Sequence, residues 1–522
     1  MPKFGFPSFA APVARHKAAF PPATLLAALL LPVLLLCQGC SSSLSAVAAG
    51  SGAGSGSASA GGPAPAALAL SPSSATIQIW QSLQFTLSGE AEGASCTWTS
   101  SSASILPPVA DEEFQGQQAG NATVAVTCGS QSAQALVTVV PQVVAGPIQI
   151  TSGGTYSGDW NSDDPATPAV TIDTDDPVTI EDSVITGRGT LIRVSGVTSG
   201  ANVTIDNVTG TALDPQVQGL QRGAFVSATK INSLAVTHCT MTGVSFGVTA
   251  AESTVSSIQI LNNLAVNPED RPSDGQGGLL AEEPDPGHFV ILSKIVAPAG
   301  AEIAWNQVMQ TMGQSSTTDV INIYRSQGSS GQPIWVHDNY MEGYSSPAAP
   351  ADGFTGVGVI ADGGKDAPVT AFALFQDNEM VHTAGSGVSI DNGHDVTATG
   401  NRIVSCGQSS SDAWFAATFA NAASIWDSYG SGPSLFYNNT VTDTAGGLVR
   451  PNAEGNPVAA DFWGSALSMT YPGNSASGND FTNPCLSGET LNLAAEDAER
   501  AYWAAKVSAA AELIGDQHTA AQ

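Results

Sequence analysis

Acidic and aromatic side chains stand at corresponding places in several short apolar runs of this sequence. Asp362 ends the run TGVGVIAD, Asp391 follows SGVSI, Tyr324 lies in DVINIYRS and Trp426 in ASIWDS. If these runs are neighbouring β-strands, about 4.8 Å apart, the two carboxyl groups lie within roughly 5 to 10 Å of each other. Carboxyl pairs at such distances act as acid and base on glycosidic bonds, and flat aromatic faces can bind sugar rings.

Strand alternation sorts these runs into an inward and an outward face, because successive side chains point in opposite directions. The inward set is predicted to be Ile291, Ile323, Val359, Ile390 and Ile425. One place later, the outward set is Leu292, Tyr324, Ile360, Asp391 and Trp426. Further outward positions are Lys294, Asn322, Asp362 and Ser389. The alternative for each polar residue is that it is only a solvated strand position.

The elements that must position these residues recur along the chain. The stretch SGVSIDNGHDVTATGNRIVS, from Ser386 to Ser405, holds three short β-type runs separated by Asn-Gly and Gly-Asn corners. Asn and Gly tolerate the positive φ of a sharp corner, so three strands can close one coil that stacks on copies of itself. Corner markers at matching places are predicted at Asp182, Asn207, Cys239, Asn263, Asn306, Asn339, Asn378, Asn401, Asn439 and Asn479.

These motifs resemble the right-handed parallel β-helix of pectate-lyase-like proteins, over residues 142–490. The resemblance implies a groove along one strand of each coil, and lyases of this group use Lys or Arg as the base beside calcium. Lys294 and Arg325 therefore join Asp362 and Asp391 as candidate catalytic residues. Asn322, Tyr324, Ser389 and Trp426 are the candidate substrate-binding residues. The motifs of the pectin hydrolases are missing, apart from Gly393-His394-Asp395.

Two smaller segments flank the predicted coils. Residues 67–141 carry period-2 runs divided by Gly and Ser, which predict a β-sandwich and resemble bacterial immunoglobulin-like domains. Cys96 and Cys128 in this segment are predicted to form a disulfide, whereas the pairing of Cys239, Cys406 and Cys485 stays open. Residues 491–522 hold an amphipathic helix and tail predicted to cover an end or a side of the coil stack. The fold class is thus all-β with one C-terminal helix.

The N-terminus carries the features of an export signal. Three basic residues precede an apolar run that is too short to span a bilayer, which predicts a signal peptide over residues 1–39. The following Gly39-Cys40 resembles the cleavage box of bacterial lipoproteins and implies lipid attachment at Cys40, in an outer-membrane or cell-surface protein. Ordinary cleavage and free secretion are the alternative. Residues 40–66, rich in Ser, Gly and Ala, are predicted to be a flexible linker.

Charge limits the partners. The chain has 45 Asp and Glu against 15 Lys and Arg, a net charge of −30, which argues against nucleic acid as a ligand. No cofactor is predicted with certainty. Calcium is a candidate because the largest insertion, between Asn267 and His288, is rich in the carboxylates that calcium binds. Its acidic residues are Glu269, Asp270, Asp274, Glu282, Glu283 and Asp285.

Together these features predict an exported cell-surface protein, a monomer, that binds polysaccharide and acts on it as a lyase or a glycoside hydrolase. The alternative is a non-catalytic adhesin or structural surface protein. The glycan, the type of cleavage and the oligomeric state are left open by the sequence.

Overall fold

A computed structural model gives the fold. It describes residues 67–517 apart from positions 80, 90–94, 111, 141–143, 281–285, 312–313, 344–355, 409–413 and 415–420. The predicted signal peptide, linker and Cys40 lie outside the described residues. The described chain is an all-β protein with large parallel sheets and one C-terminal helix, as the sequence predicts.

The N-terminal domain is small and built of short strands. Its strands are Ala69–Ser71, Ser74–Gln78, Ser82–Gln84, Thr86–Ser88, Cys96–Ser100, Pro108–Ala110, Glu113–Gln115, Gly120–Cys128 and Gln131–Val140. They form sheets of two, three and four strands around one core, in which the rings of Phe85, Trp98 and Phe114 meet. The predicted disulfide between Cys96 and Cys128 is present and joins two paired strands.

The rest of the chain is a parallel β-helix made of two long sheets. The eleven-stranded sheet contains Ile148–Ile150, Val170–Ile172, Ile192–Ser195, Val226–Thr229, Phe246–Ala251, His288–Ser293, Asp319–Tyr324, Val357–Asp362, Val388–Ile390, Ala423–Ile425 and Phe462–Gly464. All of its pairings are parallel. Each strand is therefore one rung of the stack, about 4.8 Å from the next.

The second sheet has 21 strands and takes up to two from each coil. Its strands are Val144–Ala145, Gly154–Tyr156, Asp159–Ser162, Pro177–Gly187, Ala201–Ala212, Ile231–Thr237, Thr240–Thr242, Ser257–Leu261, Leu264–Val266, Ala301–Ala304, Gln307–Met309, Ile334–His337, Tyr340–Glu342, Ala371–Gln376, Glu379–Val381, His394–Thr399, Arg402–Ser405, Thr440–Thr442, Ala445–Pro451, Pro457–Ala459 and Ser475–Ser477. A hairpin, Leu486–Ser487 and Thr490–Leu491, and a 3₁₀ turn, Ser468–Thr470, complete the description.

The interior of the stack is a continuous column of Val, Ile, Leu, Ala and Phe side chains that runs from Ile150 to Ala460. One short coil has too few apolar residues to form a core alone, so each rung is stabilised by its neighbours above and below. This mutual burial holds the outward side chains of successive rungs in register.

A column of buried asparagines lines one corner of the coils. It consists of Asn263, Asn306, Asn339, Asn378 and Asn401. The Nδ2 of each of the first four donates to the Oδ1 of the next side chain over 2.9 to 3.0 Å, and the Nδ2 of Asn401 donates to the Phe375 backbone oxygen. In each coil the asparagine directly follows a residue whose backbone is in the left-handed region, such as Asp377 with φ 52°. The amide ladder predicted from the sequence is therefore present over these five rungs.

Three of the predicted corner markers are displaced from the ladder. Asp182 and Asn207 are themselves the left-handed residues, so Ser183 and Val208 take the buried place after them. Asn439 lies before the strand Thr440–Thr442 and accepts from the Val396 backbone, at a different corner of its coil. A short polar residue suits either place of the corner, so residue type alone does not identify the buried one.

Replacing Asn339 by Ala is expected to lower the free energy of unfolding by about 3 kcal/mol or more, because several buried polar groups lose their partner together. Its side chain donates to Asn378, Ile303 and His337 and accepts from Asn306. Urea unfolding gives the measurement. The exposed Asn456→Ala variant is the control, and a loss below about 1 kcal/mol for Asn339→Ala would show that the ladder contributes little.

The C-terminal helix, Ala494–Ala510, packs along a side of the stack, one of the two positions predicted for it. Arg402 pairs with Glu499 at 2.5 Å, and Trp503 is buried against Tyr340. A second disulfide, Cys406–Cys485, lies close to the start of the helix, whereas Cys239 is free and buried. Across the described part of the chain, no helix has the length and apolar character needed to cross a bilayer.

Candidate functional site

A cavity of about 390 Å³ opens on the outward face of the eleven-stranded sheet. Its walls combine carboxyl, hydroxyl and indole groups. The lining residues are Thr318, Asp319, Val357, Ile360, Asp362, Gly385, Ser386, Ser389, Asp391, Asn421, Ser424, Trp426, Ser428, Tyr429 and Trp463. The cavity therefore crosses five successive rungs, over roughly 19 Å along the stack.

The register of the rungs explains how distant residues meet here. One outward column contains Ile291, Asn322, Ile360, Ser389, Ser424 and Trp463. A second column begins with Tyr324 and Asp362, which are paired in register, and continues with Asp391 and Trp426, which directly follow the paired Ile390 and Ile425. Six of the eight candidate site residues thus lie on these two columns, and four of them, Asp362, Ser389, Asp391 and Trp426, line the cavity.

The prediction for one rung is wrong. Leu292 is fully buried in the core and pairs with Ile323, while Ile291 lies in the outward column beside Asn322. A shift of one residue relative to the neighbouring rungs exchanges the two faces of a strand. The apolar run Phe289 to Leu292 has no polar residue that would reveal this shift in the sequence.

Asp319, Asn322 and Asp362 form a connected group at one end of the cavity. The Asn322 Nδ2 donates to Asp319 Oδ2 at 2.8 Å and to Asp362 Oδ2 at 3.2 Å, so the two carboxyl oxygens are within about 6 Å. Burial, and then the negative charge of Asp362, raises the pKa of Asp319 well above its usual range. Burial and the neighbouring charge therefore both favour the protonated form of Asp319.

Asp362 accepts more hydrogen bonds than its neighbours. Its Oδ1 accepts from the Tyr429 hydroxyl at 2.6 Å and from the Gly363 backbone N–H at 2.7 Å, and its Oδ2 accepts from Asn322. An ionised carboxylate offers only acceptors, so three donors around one carboxyl group suit the charged form. These hydrogen bonds therefore suit Asp362 to act as a carboxylate in the cavity.

Asp391 lies on the next rung and has a different environment. Its Oδ1 accepts from the Ser389 hydroxyl, which in turn lies 2.7 Å from the Ser424 hydroxyl. Surrounding protein raises the pKa of Asp391 to about 7, the Ser389 hydrogen bond opposes this rise, and the charge of Asp362 adds to it. Near neutral pH the cavity thus holds a carboxyl group that can give up a proton beside one suited to remain charged.

Aromatic rings form the other walls. The rings of Trp426 and Trp463 meet edge to face with centroids 5.2 Å apart, and about a third of Trp463 is exposed. Tyr429 is carried by a loop that Asp427 organises through hydrogen bonds to the backbone N–H groups of Ser431 and Gly432. Burial and the nearby Asp362 raise the pKa of the Tyr429 hydroxyl, which keeps it a hydrogen-bond donor. Such surfaces suit the flat apolar faces of sugar rings.

The two basic candidates lie apart from this group. Lys294 and Arg325 both have left-handed backbone, with φ of 56° and 50°, at the corner after their strands. The Lys294 Nζ is 2.7 Å from Glu252 on the neighbouring rung, in an exposed ion pair. The Arg325 guanidinium packs 5.6 Å from the Tyr324 ring centroid and close to Gly364. Neither side chain lines the cavity.

Acidic side chains of the insertion after Asn267 bind other groups within the same insertion. Glu269 binds Arg271 at 2.5 Å, and Asp274 accepts from the backbone of Gln276 and Gly278. Burial raises the pKa of Asp270 to about 7, and the charge of Glu269 adds to this rise. Glu282, Glu283 and Asp285 lie outside the described residues. In the described ranges no group of three or more His, Cys, Asp or Glu is arranged to hold a metal ion.

Sequence reasoning missed several cavity residues, most importantly Asp319, Tyr429 and Trp463. Asp319 begins the same run that carries Asn322 and Tyr324, so its place on a cavity rung was available from the pattern. Trp463 belongs to a three-residue strand far along the chain from Ala423–Ile425, its partner in the sheet. Tyr429 reaches the cavity from a loop, whose path no periodicity predicts.

Comparison with known proteins adds no functional assignment. No protein-family model matches the chain, and no curated protein matches it significantly. The functional argument therefore depends on the geometry of the cavity.

Proposed function

We propose that this protein is a glycoside hydrolase that binds a polysaccharide along the cavity and cleaves it between Asp362 and Asp391. The observation that carries this proposal is the pair itself: two carboxyl groups on neighbouring rungs, in different environments, beside aromatic rings. Different environments for two carboxyl groups are the usual basis for dividing acid and base roles between them.

In this mechanism Asp391 is the general acid and Asp362 is the nucleophile. Asp391 gives its proton to the glycosidic oxygen while the bond to the anomeric carbon breaks, and the carboxylate of Asp362 attacks that carbon. Water, deprotonated by Asp391, then hydrolyses the glycosyl ester and restores both groups. Carboxyl groups on adjacent rungs are separated by roughly the 4.8 Å rung spacing. This separation is close to that of enzymes that retain the anomeric configuration, about 5 to 5.5 Å.

Hydrolysis is favoured over elimination by the position of the basic residues. A lyase needs a base that removes a proton next to a carboxylate of the substrate, and Lys294 and Arg325 were the candidates for that role. Lys294 is paired with Glu252 and Arg325 packs against Tyr324, both away from the cavity lining. We therefore propose that the protein resembles pectate lyases in its fold and in the position of its groove. We do not propose that it shares their reaction.

The cellular setting is part of the same proposal. An export signal over residues 1–39 and acylation at Cys40 would anchor the protein to a membrane surface, and residues 40–66 would act as a tether. The N-terminal β-domain, proposed to be immunoglobulin-like, would then hold the β-helix away from the surface. Replacing Cys40 by Ser is the direct test of the anchor, because it should release the protein from membranes.

The test of activity is incubation of the purified protein with a panel of polysaccharides. We expect new reducing ends without the ultraviolet absorbance of unsaturated products, and a rate unchanged by a chelator because the mechanism uses only carboxyl groups. Unsaturated products that a chelator suppresses would instead identify a calcium-dependent lyase. Tight binding with no cleavage on any member of the panel would identify the non-catalytic adhesin.

A further inference from the structure

The charged side chains among the residues that line the cavity are all acidic. Three carboxyl groups line it, at Asp319, Asp362 and Asp391, and no Lys or Arg is among its described lining residues. With a net charge of −30 on the chain as well, the cavity repels anionic sugars and attracts cationic ones.

Asn322 is buried, is not among the residues that line the cavity, and links two of the carboxyl groups that do. Its Nδ2 already serves the carboxyl groups of Asp319 and Asp362, whereas its buried Oδ1 has no hydrogen-bond partner. Turning the amide over would set its oxygen against two carboxyl groups, so the orientation is fixed by its neighbours. Asp319 Oδ2 and Asp362 Oδ2 thus share a single NH₂ group. An ammonium group brings three donors and one positive charge, which is what this end of the cavity lacks.

The opposite end suits a cation for a separate reason. The indole rings of Trp426 and Trp463 lie edge to face at 5.2 Å, and both line the cavity. The negative face of an indole ring attracts an ammonium group, and does so more strongly where water is partly excluded. Cation-favouring groups therefore occur at both ends of a cavity that crosses five rungs.

We propose that the glycan bound here carries free amino groups on its sugar rings, as in a glucosamine polymer, and that one protonated amine binds beside Asp319 and Asp362. The inference rests on the proposed function, since it takes the cavity as a glycan site. The amine beside Asp319 lies two rungs from Asp391, roughly 10 Å away. Asp391 therefore keeps its proton for the glycosidic oxygen.

Binding of such a glycan should depend on pH in a particular way. The groups that face Asp319 are Asp362, Asp391, Asp270 and the imidazole of His288, and burial lowers the pKa of that imidazole to about 4. None of them is cationic at neutral pH, so an ammonium group would stabilise the ionised form of Asp319. Binding of the amine should therefore release protons from the protein, and binding of an N-acetylated chain should not.

The experiment compares three oligosaccharides of equal length, built from glucosamine, N-acetylglucosamine and a uronic acid, by calorimetry in two buffers of different ionisation enthalpy. The Asp391→Asn variant is used so that no ligand is cleaved. We expect the glucosamine oligomer to bind at least roughly tenfold more tightly than the others, with proton release. Asp319→Asn should remove most of this preference, whereas Glu252→Gln, the same carboxyl-to-amide change at the exposed ion pair with Lys294, should not.

The possible failures are distinguishable. Equal or tighter binding of the N-acetylated or uronic acid oligomer would overturn the amine inference, and cleavage of that oligomer by the native protein would leave the proposed hydrolase intact. A preference for glucosamine that Asp319→Asn leaves unchanged would also overturn it. If Asp319→Asn fails to fold, the comparison of the three oligomers and the proton release still decide. Binding of none of the three would overturn the inference, and only silence on the whole polysaccharide panel would remove the proposed function as well.

Discussion

Replacing Asp391 by Asn is expected to lower kcat for glycan hydrolysis by about 10²- to 10⁴-fold, the usual contribution of a general acid. The amide has the size of the carboxyl group but has no proton to give to the leaving oxygen. In the native protein the acid must be protonated, and the pKa of Asp391 is raised to about 7. Activity should therefore be full on the acid side of this value and be lost as the pH rises through about 7.

Two readouts separate this role from a structural one. The alkaline limb near pH 7 should disappear from the residual activity of Asp391→Asn, because the group that titrates there is gone. Stability should not fall. A carboxyl group whose pKa is higher in the folded than in the unfolded protein lowers the free energy of unfolding as the pH rises from the unfolded-state pKa towards the folded-state pKa. Replacing it by a neutral amide removes this loss. Unchanged kcat, or a rate loss matched by unfolding in urea, would contradict the assignment.

The part of the fold that the sequence predicts is the part set by local chemistry. Corner residues that accept a left-handed backbone, and short apolar runs between them, were enough to indicate stacked coils and the ladder from Asn263 to Asn401. The same period placed Asp362 and Asp391 on one outward face. Asp362 and Asp391 directly follow the core residues Ala361 and Ile390. Strand alternation over a single position is therefore enough to place both carboxyl groups on the outward face.

Features that depend on the shift of a whole strand or on contacts between distant residues cannot be predicted from this local chemistry. The sequence misplaces Leu292 because an uninterrupted apolar run hides a shift of one residue. It misplaces Asp182 and Asn207 because either place of a corner accepts a short polar residue. Tyr429 contacts Asp362 across 67 positions of sequence, through a loop whose path depends on the Asp427 hydrogen bonds. Lys294 and Arg325 were selected for their charge. Their left-handed corner backbone and their place outside the cavity lining became apparent only from the folded chain.

The Tyr429 hydroxyl helps to fix the orientation of the Asp362 carboxyl group. Its 2.6 Å hydrogen bond occupies the Oδ1 of Asp362, and the Gly363 backbone N–H binds the same atom. The Oδ2 has only the Asn322 amide and is therefore the oxygen with the freer lone pairs. An attack on an anomeric carbon would accordingly come from Oδ2, with Tyr429 and Gly363 holding the carboxylate in orientation.

Replacing Asp362 by Ala is expected to reduce hydrolysis at least as severely as the Asp391 substitution, because the covalent step then has no nucleophile. The cavity left by the missing carboxylate can admit a small anion such as azide. If Asp362 is the nucleophile, added azide should restore turnover and give a glycosyl azide of inverted configuration, while the native enzyme gives a product of retained configuration. Proton NMR of the first-formed products distinguishes the two anomers.

The control is Asp427→Ala, which removes a neighbouring carboxylate that hydrogen-bonds only within its own loop according to the described contacts. Asp427→Ala can alter the rate through the loop that carries Tyr429, but azide should neither restore that rate nor invert the product. An inverted product from the native enzyme would contradict the nucleophile assignment and make Asp362 the base that activates water, which needs carboxyl groups about 6.5 to 9.5 Å apart. The rung register, with Asp362 and Asp391 on adjacent strands, leads us to expect retention.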